Sequence, residues 1–284
     1  MTLALPTVIV PVFNAVRALD ACLASLERTL PEASQVLIAD DASSDPNVEA
    51  LARGWCQRSR LAARYCRRTG NLGLLANCNA AFGETGDADV VLLDADSLAT
   101  SGWLQQLARC AAGDVRIATI TPWSNHGELS SFPQFCQDNR APDFPDGIAE
   151  AAAGLAIADF PELPGTAGFC LFIRRQALRQ VGDFDVGTFG RSRAGQNDFC
   201  RRAAAMGWRN VLCPNAYVVR NASASPEPQE PEGEKMQALL ARWPDYQEAM
   251  ARFILSDPLA PLRRQLAERI ERLEHSGPQR DLFT

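Results

Sequence analysis

Short runs of consecutive apolar residues alternate along the chain with stretches in which leucine, alanine and cysteine recur every three or four positions. Thr7-Val8-Ile9-Val10 leads into Pro11-Val12-Phe13-Asn14. Neighbours that are all apolar or β-branched cannot alternate between two faces, so such a run predicts a strand buried on both sides, as inside a parallel sheet. Leu19, Cys22, Leu23 and Leu26 then keep helical spacing over residues 18–29. The succession repeats: a strand at 36–39, a helix at 46–58, a short strand at 63–67, a helix carrying Leu75, Asn77, Asn79 and Phe82, a strand at 90–93 and a helix at 102–112. This alternation predicts a doubly wound parallel sheet. Asn77 and Asn79 need partners if they are buried.

After the apolar run at 115–120 the pattern loosens. Residues 123–149, rich in Pro, Asn, Asp and Gly, read as a long loop, and a loop of that length is usually functional or mobile. A strand returns at 169–173, with Gly165 and Gly168 permitting close backbone approach just before it. A short helix at 175–181, an amphipathic helix at 197–206 and a last strand pair at 211–213 and 217–219 follow. Residues 223–234 have the Pro, Gly and acidic composition of a linker. Two helices, 237–251 and 258–274, close the chain with i,i+4 charge pairs such as Glu268 and Arg272. Their apolar faces must be buried on their own domain, in a dimer or against a protein partner. There is no internal repeat and no coiled-coil run.

Composition narrows the class. The chain has 284 residues, 46% apolar and 22% charged, as expected for a soluble α/β protein with one sizeable core. We expect one domain over 1–225 and a linker with helical extension over 226–284. A formal charge of -6 argues against nonspecific binding to nucleic acid or an anionic membrane. With no basic leader and no uninterrupted run of 18 apolar residues, the expectation is no membrane span and a cytoplasmic protein. The nine cysteines contain no C-x-x-C pair and read as reduced, buried small hydrophobes. The two histidines, His126 and His275, lie near no G-x-S-x-G nucleophile motif.

Candidate chemistry sits where strands end. Val90-Val91-Leu92-Leu93 opens directly into Asp94-Ala95-Asp96. Residues i and i+2 point the same way while a strand persists, so the two carboxylates could converge on one hard cation at the carboxyl end of a strand. Open α/β sheets bind ligands there. A plain turn is the competing account, since Asp and Ser often end strands. The second strand likewise opens into Asp40-Asp41-Ala42-Ser43-Ser44-Asp45; helix capping accounts for Ser44 or Asp45 but not for Asp40. The first strand is followed by no G-x-G-x-x-G, which sets aside a dinucleotide binder.

Taken in order, several pieces resemble the family 2 glycosyltransferases, GT-A enzymes that move a sugar from a nucleotide-diphosphate donor to an acceptor. They are Val10-Pro11-Val12-Phe13-Asn14, Ala39 to Asp45, Asn71-Leu72-Gly73 with Asn77, and Leu92 to Asp96, then Gly168 to Arg175, Val181 to Asp185, and Asn197 to Ala203. The resemblance implies a GT-A-type, Rossmann-like and mainly parallel sheet flanked by helices, with a C-terminal helical extension. It implies inverting transfer, as in polysaccharide biosynthesis, from a UDP- or dTDP-type sugar to a glycan or other hydroxyl acceptor. Pro11, Phe13, Asn14, Asn71 and Asn77 would line the nucleotide pocket, with Asp40 accepting from the base. Asp94 and Asp96 would hold Mg2+ or Mn2+ on the diphosphate, Asp94 also touching the nucleotide. Trp123, His126 and Gly168 would face donor sugar and acceptor.

Two positions depart from that pattern. Gly195-Gln196 stands where similar enzymes carry an acidic pair, and an amide cannot take a proton as a carboxylate does. Arg220-Asn221 stands where the family often has a histidine; arginine cannot ligate a cation but can neutralise a diphosphate directly. Gln196 and Arg220 therefore join the donor-sugar and acceptor set. The base would fall to Asp198 or Asp185, with Asp198 equally explained as a residue orienting its own helix. Alternatives are a domain without turnover that binds nucleotide sugar or a protein partner as a scaffold, and a shifted alignment across residues 187–196.

Overall fold

In the computed structural model, which describes residues 3–221 and 232–276, the expected alternation is present. β1 (Thr7–Val12), α1 (Val16–Thr29), β2 (Gln35–Asp40), α2 (Pro46–Arg58), β3 (Ala62–Arg67), α3 (Leu74–Gly83) and β4 (Val90–Leu93) follow one another. Every residue of β1 and β4 is buried, as continuous apolar runs require. Then come β5 (Ser97–Ala99), α4 (Trp103–Gly113), β6 (Ile117–Trp123), α5 (Pro145–Ala153), β7 (Cys170–Ile173), α6 (Arg175–Val181), α7 (Val186–Phe189), α8 (Ala194–Ala205) and β8 (Arg209–Arg220). α9 (Glu232–Arg242), α10 (Tyr246–Ser256) and α11 (Ala260–Ser276) complete the described chain.

The sheet order is β3-β2-β1-β4-β7-β6-β8-β5, and the sheet is mixed, not uniformly parallel. β1 pairs in parallel with β2 and β4, β2 with β3, and β6 with β8. β7 runs antiparallel between β4 and β6, and β5 antiparallel to β8. A five-residue apolar run carries no direction of its own. Direction here follows from the excursion after β6, which returns the chain at the carboxyl end of β4, so that Cys170 pairs with Leu93. The segment 165–169 is thereby laid beside Asp94, whose amide donates to the Phe169 carbonyl at 2.9 Å.

Other boundaries shift for local reasons. The loop expected at 123–149 ends at 144, because Pro145 sits in the first turn of α5, where its missing N–H costs nothing. Asp146 ties that turn to the Ser101 amide at 2.8 Å and to Arg28 at 2.6 Å. The last strand pair is one strand, β8, whose register jumps from Cys213 opposite Pro122 to Tyr217 opposite Trp123; the intervening residues bulge out, which accommodates Pro214. The helix expected at 237–251 divides into α9 and α10 around Pro244, which cannot continue a helix. Of the expected linker, residues 223–231 lie outside the described residues, and its remainder begins α9.

The C-terminal helices bury their apolar faces on their own chain. Leu239 and Tyr246 join the core that contains Leu75, Phe184 and Phe199. Phe253, Leu259 and Leu266 pack with Trp123, Leu212 and Tyr217. Burial thus supplies no reason for a dimer through these helices. All nine cysteines are free, six of them buried, and among the described residues no helix is long and apolar enough to cross a membrane. Because Leu266 is fully buried, Leu266→Ala should lower the unfolding free energy by about 2–5 kcal/mol in urea titration. A loss below about 0.5 kcal/mol would show that α11 is not part of the cooperative domain.

Candidate active site

The carboxyl ends of β1, β2 and β4 lie side by side, and the side chains that follow them build one rim. Asp94 and Asp96 are both buried in a tight turn closed by Ser97 N donating to Asp94 O at 2.9 Å and Asn221 N donating to Asp96 O at 2.8 Å. Two like charges in such a place need compensation. Arg193, at the start of α8, donates from Nη2 to Asp94 Oδ2 at 2.6 Å and from Nη1 to the Gly168 carbonyl at 3.1 Å. Arg220, at the end of β8, brings Nε to 3.6 Å from Asp96 Oδ2, beyond hydrogen-bond reach. Arg220 Nε and Asp96 Oδ1 are buried without a hydrogen-bond partner among the described residues. Asn125 fixes the Arg220 backbone from both sides, accepting from its amide at 2.8 Å and donating to its carbonyl at 3.0 Å. Burial pushes the Asp94 carboxyl up to about 6 against the pull of the Arg193 charge.

Pro11, Phe13, Asn77, Asp94, Asp96 and Arg193 are among the walls of a cleft of about 50 Å3. That is small beside the roughly 300–1,000 Å3 usual for ligand sites. A second cavity, of about 500 Å3, has His126, Thr166, Arg193, Arg220, Leu240 and Met250 among its walls. Arg193 borders both, so its bridge to Asp94 is the partition between them.

The other nucleotide-side residues support the rim from behind. Asp40 is fully buried; it accepts from Ser43 N at 2.9 Å and Tyr65 OH at 2.5 Å, with Arg67 Nε at 3.6 Å. Its neighbour Asp41 borders the cleft instead, and anchors the 71–73 turn by accepting from Leu72 N and Gly73 N at 2.7 Å each. Asn14, at φ 52°, accepts from Ser44 N at 2.8 Å and Asp45 N at 3.0 Å, which fastens the loop after β2. Asn77 donates to Ala39 O and accepts from Arg68 Nε, both at 2.8 Å. Asn71 is exposed and its carbonyl accepts from Arg191 at 3.2 Å. Asn14, Asp40 and Asn71 therefore hold loops and do not line the cleft.

On the second cavity the expected residues divide. His126 borders it, with Nε2 at 2.8 Å from Asp138; burial, then the Arg220 charge, hold its imidazole below its ordinary value. Trp123 is fully buried beneath, its ring 6.5 Å from that of Phe132, so it supports the wall and does not face a ligand. Gly168 adopts φ 78°, and a Cβ there would stand 2.7 Å from Gln196 Oε1. Gln196 is buried with that oxygen unpartnered. A Cβ on Gly195 would stand 2.4 Å from Leu75 Cδ1, so an acidic side chain at 195 has no room.

The two carboxylates expected to serve as the base, Asp198 and Asp185, are engaged in ion pairs away from both cavities. Asp198 is fully buried and engaged by Arg202 Nε at 2.7 Å, Arg242 Nη1 at 3.0 Å and Trp243 Nε1 at 3.0 Å. Asp185 caps α7 through Thr188 N at 3.0 Å and meets Arg242 Nη2 at 2.8 Å. Neither borders either cavity. They dock the C-terminal helices onto α8. Arg193 and Glu128, the latter on the rim of the second cavity, were not singled out as site residues from sequence.

A divalent cation fits this donor set poorly. Among the described residues no third His, Cys, Asp or Glu joins Asp94 and Asp96 in a metal-binding group. Asp94 faces Arg193 with both oxygens, at 2.6 and 3.5 Å. One carboxylate, Asp96, is left for a cation, its Oδ2 3.6 Å from Arg220 Nε, beside two permanently charged guanidinium groups.

The profile of Glycosyl transferase family 2 matches residues 7–182. Among solved structures, the mannosyltransferase PcManGT from Pyrobaculum calidifontis in complex with GDP-Man and Mn2+ aligns with a TM-score of 0.60 at 19% identity, over 96% of this chain and 76% of that one. GalNAc-T7 with UDP, GalNAc and Mn2+ aligns with a TM-score of 0.63 at 14% identity, over 95% of this chain but only 55% of that one. S. aureus TarS in complex with UDP aligns with a TM-score of 0.56 at 15% identity, over 87% and 70%. At these identities the likeness shows the fold, a GT-A-type sheet flanked by helices with a C-terminal helical region. No curated protein sequence matches.

Asp198→Ala strands two guanidinium groups and should cost about 3 kcal/mol of stability in urea titration, while nucleotide binding by the folded protein, with neither cavity touched, stays unchanged. For His126, an NMR titration should give a midpoint below 6.5, raised toward it in Arg220→Gln. Folding excludes that proton, so the stability associated with neutral His126 is present at pH 7 and lost as pH falls through the unfolded value.

Proposed function

The chain belongs to glycosyl transferase family 2, and on that premise we propose that it transfers a hexosyl group, with inversion, from a nucleotide-diphosphate sugar of UDP or dTDP type to a hydroxyl acceptor. One observation carries this: two cavities meet at Arg193, beside the paired carboxylates at the carboxyl end of β4. The nucleoside belongs to the side of Pro11, Phe13 and Asn77, the diphosphate to the partition, and the sugar and acceptor to the larger cavity. Apolar Leu240 and Met250 beside polar Thr166 and His126 suit a sugar ring with its faces and hydroxyls.

Inverting transfer needs a proton acceptor on the face of the sugar opposite the leaving diphosphate. With Asp198 and Asp185 committed elsewhere, His126 and Glu128 are the groups on this cavity that can take the proton. Burial and the Arg220 charge favour neutral His126, but its Nε2 is taken by Asp138 and its Nδ1 is buried, which leaves exposed Glu128 as the more accessible base. Mn2+ accompanies the nucleotide in two of the structures similar in fold; the poor fit of the donor set here means that no step is assigned to a metal.

A second reading is a binding scaffold without turnover, favoured by Gln196, whose amide stands where similar enzymes have a carboxylate. Calorimetric titration of UDP, dTDP and GDP into the protein tests nucleotide binding, and one of the three should bind in the micromolar range, roughly 8 kcal/mol. Binding by none would sink the transferase reading and leave a scaffold for a protein partner. If one binds, transfer or slow donor hydrolysis separates the two readings. Gln196→Glu should leave the rate unchanged, because Gln196 borders neither cavity; a gain above about tenfold, or 1.4 kcal/mol in barrier, would identify an eroded active site.

A further inference from the structure

We propose that the donor's diphosphate is taken directly by Arg193 and Arg220, oriented by Asp94 and Asp96, so that this site binds nucleotide diphosphates without a divalent cation. The inference rests on the transferase assignment and names the device that holds its donor.

Four observations converge on it. Arg193 is posted at the partition by Asp94 at 2.6 Å and the Gly168 carbonyl at 3.1 Å, where a ligand spanning both cavities must pass. Arg220 Nε is a buried donor without a hydrogen-bond partner among the described residues, a costly arrangement unless something else fills it. It is held 3.6 Å from Asp96 because Asn125 bonds the Arg220 backbone at both its amide and its carbonyl. Finally, both guanidinium groups are planar, bidentate donors whose geometry suits the oxygens of a diphosphate.

In this arrangement the Asp-x-Asp carboxylates change roles. They position arginines where a metal-dependent site would use them as ligands. The cleft of about 50 Å3 and the cavity of about 500 Å3 share Arg193 as a wall, and it keeps its bond to Asp94 while its guanidinium meets the phosphate. The guanidinium pair then faces the charge that builds on the leaving diphosphate, a task otherwise given to a metal. Arg193 and Arg220 are thus binding residues that touch the donor, and Asn125 is a positioning residue acting through Arg220.

The test is calorimetry of UDP, dTDP and GDP with the full chain, each in excess EDTA and in excess Mn2+. The affinity of whichever nucleotide binds should agree within about threefold between the two conditions, a difference under 1 kcal/mol. Arg193→Gln and Arg220→Gln should each weaken binding in EDTA by about tenfold or more, as loss of a charged hydrogen bond does, with thermal melting confirming that each variant is folded. Arg220→His removes the cation and supplies a metal ligand, so its weakened binding should recover with Mn2+. Binding by the unaltered protein that appears only with Mn2+ overturns this inference and leaves the transferase assignment standing. Absence of binding in both conditions overturns the two together.

Discussion

Two carboxylates two residues apart, buried at the end of a fully buried strand, are the constraint on which the rest of the site depends. Asp94 and Asp96 cannot both stay ionised out of water without nearby positive charge. The fold meets that need from two distant points of the chain: Arg193 from the first residue before α8, and Arg220 from the last residue of β8. Placing those residues requires much of the remaining architecture. β7 must run backward to set the Gly168 carbonyl beside Arg193. β6 must end where Asn125 can grip the tip of β8. The long excursion between β6 and β7 and the helices α9 and α10 then wall the larger cavity.

The carboxylates around this centre show how similar chemistry takes different tasks by position. Asp41 holds a turn through two backbone amides. Asp40, one residue earlier and fully buried, is satisfied by Ser43 and Tyr65. Asp198 has no exposure at all and is bound by two arginines and an indole, which makes it the peg by which α9 is fastened to α8. A carboxylate in a suggestive motif is therefore not yet a base. What decides is whether any lone pair still faces a cavity.

Much of the first half was legible because its signals are local. Val90 to Leu93 read as a strand buried on both faces, and Asp94 and Asp96 follow from it by spacing alone; Pro11, Phe13 and Asn77 border the same cleft as these two. Direction was not legible: nothing in Phe169 to Ile173 says that the strand runs against its neighbours, since that depends on where the preceding excursion delivers the chain. Arg193 was hidden for a related reason, being 99 residues from Asp94 in sequence with no motif to link them. Trp123 differs from its near neighbour His126, which borders the larger cavity while the indole belongs to the core. Pro244 and the bulge around Pro214 shifted boundaries through ordinary proline chemistry.

The contact between Gly195 and Leu75 bears on how such a site can change over time. A side chain at 195 meets Leu75 at once, and Leu75 is itself fully buried in the core beneath. Acquiring an acid at 195 first means a clash, while shrinking Leu75 first means a cavity costing about 2–5 kcal/mol. Either order passes through a crippled intermediate, so the absence of an acid at this position is a valley with walls on both sides. A lineage that enters it with Gly195 and Leu75 must solve its proton transfer elsewhere or give up turnover.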